Sequence, residues 1–101
     1  MNRWNIPRWL EDEVIARDRQ CVYCGITFDG KPTKRGQSPS WEHIVNDVSL
    51  IHSDNIARCC ISCNASKGTR DLKSWLESSY CKAKNIHAGS VSAVIQRALN
   101  V

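Results

Sequence analysis

The sequence predicts a small α+β domain: a strand pair and a short helix tied together by cysteines, with one helix before this core and two helices after it. Three observations lead to that prediction. Two Cys-x-x-Cys pairs flank a central segment, that segment contains two runs with the composition of strands, and the flanking segments have the apolar spacing of helices. A chain of 101 residues fills one hydrophobic core. We therefore expect a single domain over residues 1–101.

The first predicted element is a helix over about residues 7–19. Pro7 stands where the first turn of a helix tolerates proline. The following "RWLEDEVIARDR" carries acids early and arginines late, which is the polarity that a helix dipole favours. The expected apolar stripe consists of Trp9, Leu10, Val14 and Ile15.

The segment between the cysteine pairs predicts an exposed basic loop followed by a hairpin. Residues 29–40, "DGKPTKRGQSPS", collect Gly, Pro, Ser and Lys without periodicity, which is typical of a loop. "SWEHIVND" at 40–47 and "NIARCC" at 55–60 have strand composition. Together they predict an antiparallel hairpin with a long connection.

Helices are predicted for the rest of the chain. "SCNASKG" has helical character and ends at Gly68, a residue that favours helix C-termini. "TRDLKSWLESSY" predicts one capped helix, and "GSVSAVIQRALN" predicts the last helix, because its apolar residues recur at helical spacing.

The cysteines predict a metal site. Two Cys-x-x-Cys pairs offer four thiolates, which is the ligand set of a structural zinc site, and iron is a chemical alternative. Cys59 adjoins Cys60, but only Cys60 keeps the two-residue spacing, so Cys59 is assigned to the core. With every metal position filled by protein, the site is structural and not catalytic. The expected ligands are Cys21, Cys24, Cys60 and Cys63.

Composition and charge indicate where in the cell the chain resides and what kind of partner it binds. It lacks the roughly 20 continuous apolar residues of a membrane-spanning helix and the pattern of a secretory signal, so we expect a cytoplasmic protein without a membrane partner. The formal net charge is +4, and the basic residues lie mostly beyond the acidic first helix. This bias favours a polyanion partner, with a solvated surface as the alternative. The candidate nucleic-acid contacts are Lys34, Arg35, Arg58, Lys67 and Arg70.

Glu42 and His43 are the most reactive pair in the hairpin, and Asn55 and Asn64 follow them. The order Cys-x-x-Cys, Glu-His-Ile-Val, Asn-Ile, Cys-x-x-Cys-Asn and Lys-Gly resembles the HNH nucleases, whose ββα-metal motif folds two strands and a helix around one catalytic metal. The resemblance covers about residues 7–76, with 77–101 as a helical extension. It implies His43 as general base, Glu42 and Asn64 as ligands of Mg²⁺ or Mn²⁺, and Asn55 as a brace between the strands.

The sequence departs from the family pattern at three positions. Glu42 stands where the family often has Asp, Asn46 where it often has Pro, and Asn64 where it often has His. In a regular strand, neighbouring side chains point to opposite faces. A bulge or bend near residues 42–46 is therefore expected, which would turn Glu42 and His43 toward one phosphate.

The implied activity is metal-dependent hydrolysis of DNA, with RNA left open as a substrate. A monomer would nick one strand, and a homodimer would cut both. Small size and the resemblance suit a phage or mobile-element protein. The alternative is a non-catalytic zinc-binding module that contacts DNA or another protein, in which the Glu-His pair serves stability alone.

Overall fold

The computed structural model describes residues 4–30 and 34–100, so Lys31 of the predicted basic loop lies outside the described residues. The α+β class is confirmed: the described residues form five α-helices and a two-stranded antiparallel sheet. In chain order, the elements are α1 (Arg8–Arg17), a 3₁₀ turn (Arg35–Gln37), β1 (Pro39–His43), β2 (Ile56–Cys60), α2 (Ile61–Lys67), α3 (Leu72–Leu76), α4 (Ser79–Ala83) and α5 (Ala93–Leu99).

Helix α1 begins after Pro7, as predicted, but its buried face is narrower than the sequence indicates. Leu10 and Val14 are fully buried because residues four apart lie on one side of a helix. Trp9 is 65% exposed and Ile15 is 44% exposed, so the expected four-residue stripe was wrong at these two positions. The buried pair packs with Ile6 and Ile56 in a small cluster beside β2.

The end of α1 completes the outer edge of β2. The Asp18 carboxylate accepts a hydrogen bond from the Arg58 backbone N–H at 3.1 Å, and Arg17 donates to the Ile56 carbonyl at 2.8 Å. The Val22 N–H also donates to the Arg58 carbonyl at 3.1 Å. These bonds satisfy an otherwise unpaired strand edge and place the first cysteine pair next to β2.

The predicted hairpin is confirmed. β1 and β2 pair in an antiparallel ladder that runs from Pro39 opposite Cys60 to His43 opposite Ile56. The ladder is continuous across all five residue pairs, so there is no bulge at Glu42 and His43, and the chain bends only after them, at residues 44–46. The Ile44 N–H continues the pairing by donating to the Asn55 carbonyl at 2.9 Å.

The helices after the hairpin agree with the sequence except at one point. Helix α2 ends at Gly68, whose φ of +53° suits glycine. The single helix predicted from "TRDLKSWLESSY" is two short helices, so three helices follow α2 where two were expected. The break occurs at Ser78, because its side chain accepts a hydrogen bond from the Cys81 N–H and so caps a new helix.

A second and larger core lies on the other side of the hairpin. It contains Tyr23, Ala57 and Cys59 together with Trp75 of α3 and Ile95 of α5. The Trp75 indole N–H donates to Ser66 Oγ at 2.9 Å, which ties α3 to α2. The hairpin is therefore packed on both faces. No helix among the described residues is long and apolar enough to cross a membrane.

Candidate functional site

Four cysteine sulfurs converge between the first turn after α1 and the start of α2. The Sγ atoms of Cys21, Cys24, Cys60 and Cys63 all lie within 4.8 Å of one another, and those of Cys24 and Cys60 are 3.8 Å apart. A tetrahedral zinc site with Zn–S bonds of about 2.3 Å places its sulfurs about 3.8 Å apart. The cluster can therefore hold a metal ion, and its geometry fits zinc.

In each cysteine pair, the local backbone directs an N–H group at a sulfur atom. The Cys24 N–H donates to Cys21 Sγ at 3.4 Å, and the Cys63 N–H donates to Cys60 Sγ at 3.4 Å. The first turn is followed by Gly25 with φ of +79°, and the second forms the N-cap of α2. Both pairs therefore direct backbone donors at sulfur, which favours thiolates.

Strand alternation decides which of the adjacent cysteines joins the cluster. Cys60 is in the cluster, whereas Cys59 opposes Ser40 and lies in the large core. The Cys59 Sγ is 3.8 Å from Ser40 Oγ, and burial raises the pKa of this thiol. Cys59 is therefore a small core residue, as the sequence indicated.

The four thiols of the cluster strongly shift one another's pKa values. Hydrogen bonding with Cys21 lowers the pKa of Cys24 and raises the pKa of Cys63. Four thiols at this distance cannot all ionise without a cation between them, and metal binding deprotonates such ligands. The Tyr80 hydroxyl, 3.3 Å from Cys63 Sγ, adds a donor from outside the ligand set.

Glu42 lies on the face of β1 that packs against α2. Its side chain is buried, with Oε2 2.5 Å from the Tyr23 hydroxyl and 3.3 Å from Lys67 Nζ. Burial raises the pKa of Glu42 even though Lys67 and Tyr23 oppose the shift. The Glu42 carboxylate is thus enclosed and already neutralised by a lysine.

Lys67 is 1% exposed, so the expectation that it contacts nucleic acid is wrong. Its position at the end of α2 faces the hairpin, where Nζ reaches Glu42 and also donates to the Ile44 carbonyl at 3.1 Å. A buried ammonium needs such partners, and two residues of the hairpin provide them.

His43 points to the opposite face from Glu42. Its ring lies edge-on to Trp4 with ring centroids 5.3 Å apart. Its Nε2 atom is buried and has no hydrogen-bond partner among the described residues. Burial lowers the pKa of His43, which keeps the imidazole neutral near pH 7. The regular ladder therefore separates the two residues that a bulge or bend was expected to bring together, since the chain bends only beyond them, at residues 44–46.

Asn55 lies where the resemblance implies a brace. Its Oδ1 accepts from the Val45 N–H at 2.7 Å, and its Nδ2 donates to the carbonyls of Val45 and Leu50 at 3.2 and 3.1 Å. These three bonds hold both sides of the connection between β1 and β2, directly after His43.

Asn64 joins α2 to β1. Its Nδ2 donates to the Trp41 carbonyl at 2.9 Å and to Ser40 Oγ at 3.0 Å, so its Oδ1 is left out of these contacts. Within residues 4–30 and 34–100, no hydrogen bond, ion pair or ring contact joins Asn64 to Glu42 or His43. In this structure Glu42 and Asn64 do not fit a shared Mg²⁺ or Mn²⁺ ion, because the Glu42 carboxylate is enclosed with Lys67.

The other candidate nucleic-acid residues differ in exposure. Lys34, Arg35 and Arg70 are exposed, and Arg70 lines a cleft of about 770 Å³ beside the hairpin connection. Arg58 is half-buried, with its guanidinium 4.9 Å from the centre of the Phe28 ring. Three of the five candidates are therefore free to contact a partner.

Sequence reasoning missed the role of Tyr23. Its place between Cys21 and Cys24 gave no sign that its hydroxyl reaches Glu42, since that contact joins residues 19 positions apart.

Comparison with models of known protein families gave no match, and comparisons with curated proteins and with solved structures gave none either.

Proposed function

We propose that this protein is a metal-dependent DNA endonuclease that hydrolyses phosphodiester bonds with His43 as general base. The observation that carries the proposal is the setting of His43: its Nε2 is buried without a partner among the described residues, and burial lowers the pKa of the imidazole. It stands at the end of β1, directly before a connection braced by Asn55. The resemblance to HNH nucleases assigns the general base to this same position.

The chemistry follows from that imidazole. A base whose pKa lies near or below neutrality is unprotonated at working pH and can accept a proton from water. The water oxygen bonds to phosphorus as one of its protons passes to His43 Nε2, the bond from phosphorus to the 3′ oxygen breaks, and the departing 3′ oxygen takes up a proton from solvent water. By resemblance, the products carry 5′-phosphate and 3′-hydroxyl ends. Because Nε2 is buried, the groups that cover it must move when substrate binds.

Metal ions have two separate places in the proposal. The four-cysteine cluster would hold a structural zinc ion, and its ligands come from both ends of the hairpin segment. A Mg²⁺ or Mn²⁺ ion, when bound, supplies neutralisation of the charge that develops on the phosphoryl group. Asn64 Oδ1 is the available ligand, whereas Glu42 is not arranged to bind this ion. The exposed Lys34, Arg35 and Arg70 are suited to phosphate contacts.

A plasmid-nicking assay tests the proposal. Wild type should convert supercoiled DNA to open circles with Mg²⁺ or Mn²⁺, and His43→Ala should lose that activity by 100-fold or more, as expected for a general base that contributes about 10²–10⁴-fold. His87→Ala is the matched control, since His87 is an exposed histidine outside the hairpin. Nicking that survives in His43→Ala would contradict the role of His43. RNA tested beside DNA identifies the substrate.

A non-catalytic zinc-binding module is the second candidate. The enclosed Glu42–Lys67 ion pair favours it, because a neutralised carboxylate serves stability without any chemistry. This candidate predicts metal-stabilised DNA or protein binding in the wild type, with no nicking by any variant. Gel-shift and nicking assays on the same preparations separate the two functions.

A further inference from the structure

Lys67 contacts the residues on both sides of His43 in the chain. Its Nζ lies 3.3 Å from Glu42 Oε2 and 3.1 Å from the Ile44 carbonyl. One contact holds a side chain, and the other holds the backbone. Because a strand residue takes its direction from its neighbours, fixing Glu42 and Ile44 also fixes the direction of His43.

The same ion pair reaches the metal cluster. The Tyr23 hydroxyl donates to Glu42 Oε2 at 2.5 Å, and Tyr23 lies between the cluster residues Cys21 and Cys24. The Tyr23 ring packs edge-on against Trp75 at 4.8 Å between centroids, which leaves it little freedom. Glu42 therefore connects the first cysteine turn, strand β1 and helix α2.

Burial makes this connection rigid. Glu42 is 4% exposed and Lys67 is 1% exposed, so water does not compete for their contacts. Removing one partner of a buried ion pair leaves an uncompensated charge, whereas replacing both with neutral residues of similar shape is often tolerated. The pair can therefore be dissected by single and double substitutions.

We propose that Lys67 and Glu42 are positioning residues that hold His43 in its working orientation, and that Glu42 is not a ligand of the catalytic metal. This inference rests on the proposed nuclease function. The family resemblance implies that Glu42 binds the catalytic metal, whereas the contacts of Glu42 support a positioning role. Lys67 acts through two neighbours of His43 and does not touch the substrate.

The test compares Lys67→Met, Glu42→Gln and the double variant Glu42→Gln/Lys67→Met, with Lys82→Met as the control at an exposed lysine. Lys67→Met and Glu42→Gln should each lower the thermal midpoint of unfolding by roughly 15 °C. The double variant should recover most of that loss. The kcat of the double variant for nicking should remain roughly 10- to 100-fold below that of wild type. The bond to the Ile44 carbonyl is gone in this variant, and a small misplacement of a catalytic group lowers the rate strongly.

The metal dependence separates the two roles of Glu42. If Glu42 is a positioning residue, the double variant nicks with the wild-type dependence on Mn²⁺ concentration. Recovery of nicking only at raised Mn²⁺ would identify Glu42 as a ligand and overturn the inference. Full recovery of kcat in the double variant would also overturn it, since the pair would then serve stability alone.

Imidazole NMR provides a readout that does not depend on activity. The ring signals of His43 should shift or broaden in the double variant, while those of His52 and His87 stay unchanged. Unchanged His43 signals would refute the positioning role even if nicking were altered. A wild type that shows no His43-dependent nicking, yet shows this response of His43, would refute the nuclease proposal and keep the positioning role.

Discussion

Replacing Cys60 with serine provides the most direct test of the metal cluster, and the adjacent Cys59 provides the matched control. Cys60→Ser removes one of four sulfurs that lie within 4.8 Å. Cys59→Ser makes the same chemical change one residue away, on the opposite face of β2. We expect Cys60→Ser to lose its bound metal and Cys59→Ser to retain it.

The magnitude follows from the site and the size of the chain. Structural zinc in small domains binds with an apparent free energy of about 10–16 kcal/mol, whereas whole domains are stable by about 5–15 kcal/mol. Loss of the metal should therefore leave the chain largely unfolded. Cys59→Ser should lower the free energy of unfolding by only about 1–3 kcal/mol, the usual effect of burying a hydroxyl.

Elemental analysis and thermal unfolding measure these outcomes. Wild type and Cys59→Ser should each contain one metal equivalent, and a chelator should abolish their cooperative unfolding transitions. Cys60→Ser should contain almost no metal and show no such transition. A full metal equivalent in Cys60→Ser, or a wild type that unfolds cooperatively at the same temperature with and without chelator, would refute the four-cysteine site.

Two further predictions concern the hairpin. Asn55→Ala removes three hydrogen bonds from the connection and should reduce the free energy of unfolding by about 1–3 kcal/mol, the usual effect of unpaired buried groups. Urea unfolding measures this loss, with Asn46→Ala as the control at an exposed asparagine in the same connection. Equal free energies of unfolding for the two variants would show that the brace is unimportant. Because burial lowers the pKa of His43, the unfolded chain binds a proton more readily than the folded one. The free energy of unfolding should thus fall as pH drops below about 6.5 toward the lowered pKa, and His43→Asn should lose that part of the pH dependence; an identical pH profile in both proteins would contradict the buried neutral imidazole.

Much of the fold was predictable because its signals are local. The two-residue spacing of Cys60 and Cys63 matches a helix N-cap turn, and Gly68 ends α2 where its positive φ is needed. The hairpin was also predicted, since strand composition and the intervening turn residues lie within one short stretch. Ser78 was the exception, because a serine at that position is equally compatible with a helix interior and a new cap.

The candidate site was less predictable, since it depends on which face each side chain takes. The sequence named Glu42, His43 and Asn64 but required a bulge or bend near residues 42–46 to join them, and the ladder is regular through His43. Lys67 resembled a surface cation because nothing local to α2 reveals that Glu42 lies across from it. A buried ion pair between residues 42 and 67 is a long-range contact, which sequence spacing does not encode.

The sequence by itself determined the thiol cluster and the order of the elements, and it named the candidate site residues, because residue type and short spacing fix metal-ligand geometry and local backbone conformation. Only the tertiary structure decided that Glu42 faces Tyr23 and Lys67 while His43 faces Trp4. The physical reason is the two-residue period of a strand: once β1 pairs regularly with β2 and packs between α1 and α2, adjacent side chains must enter different surroundings.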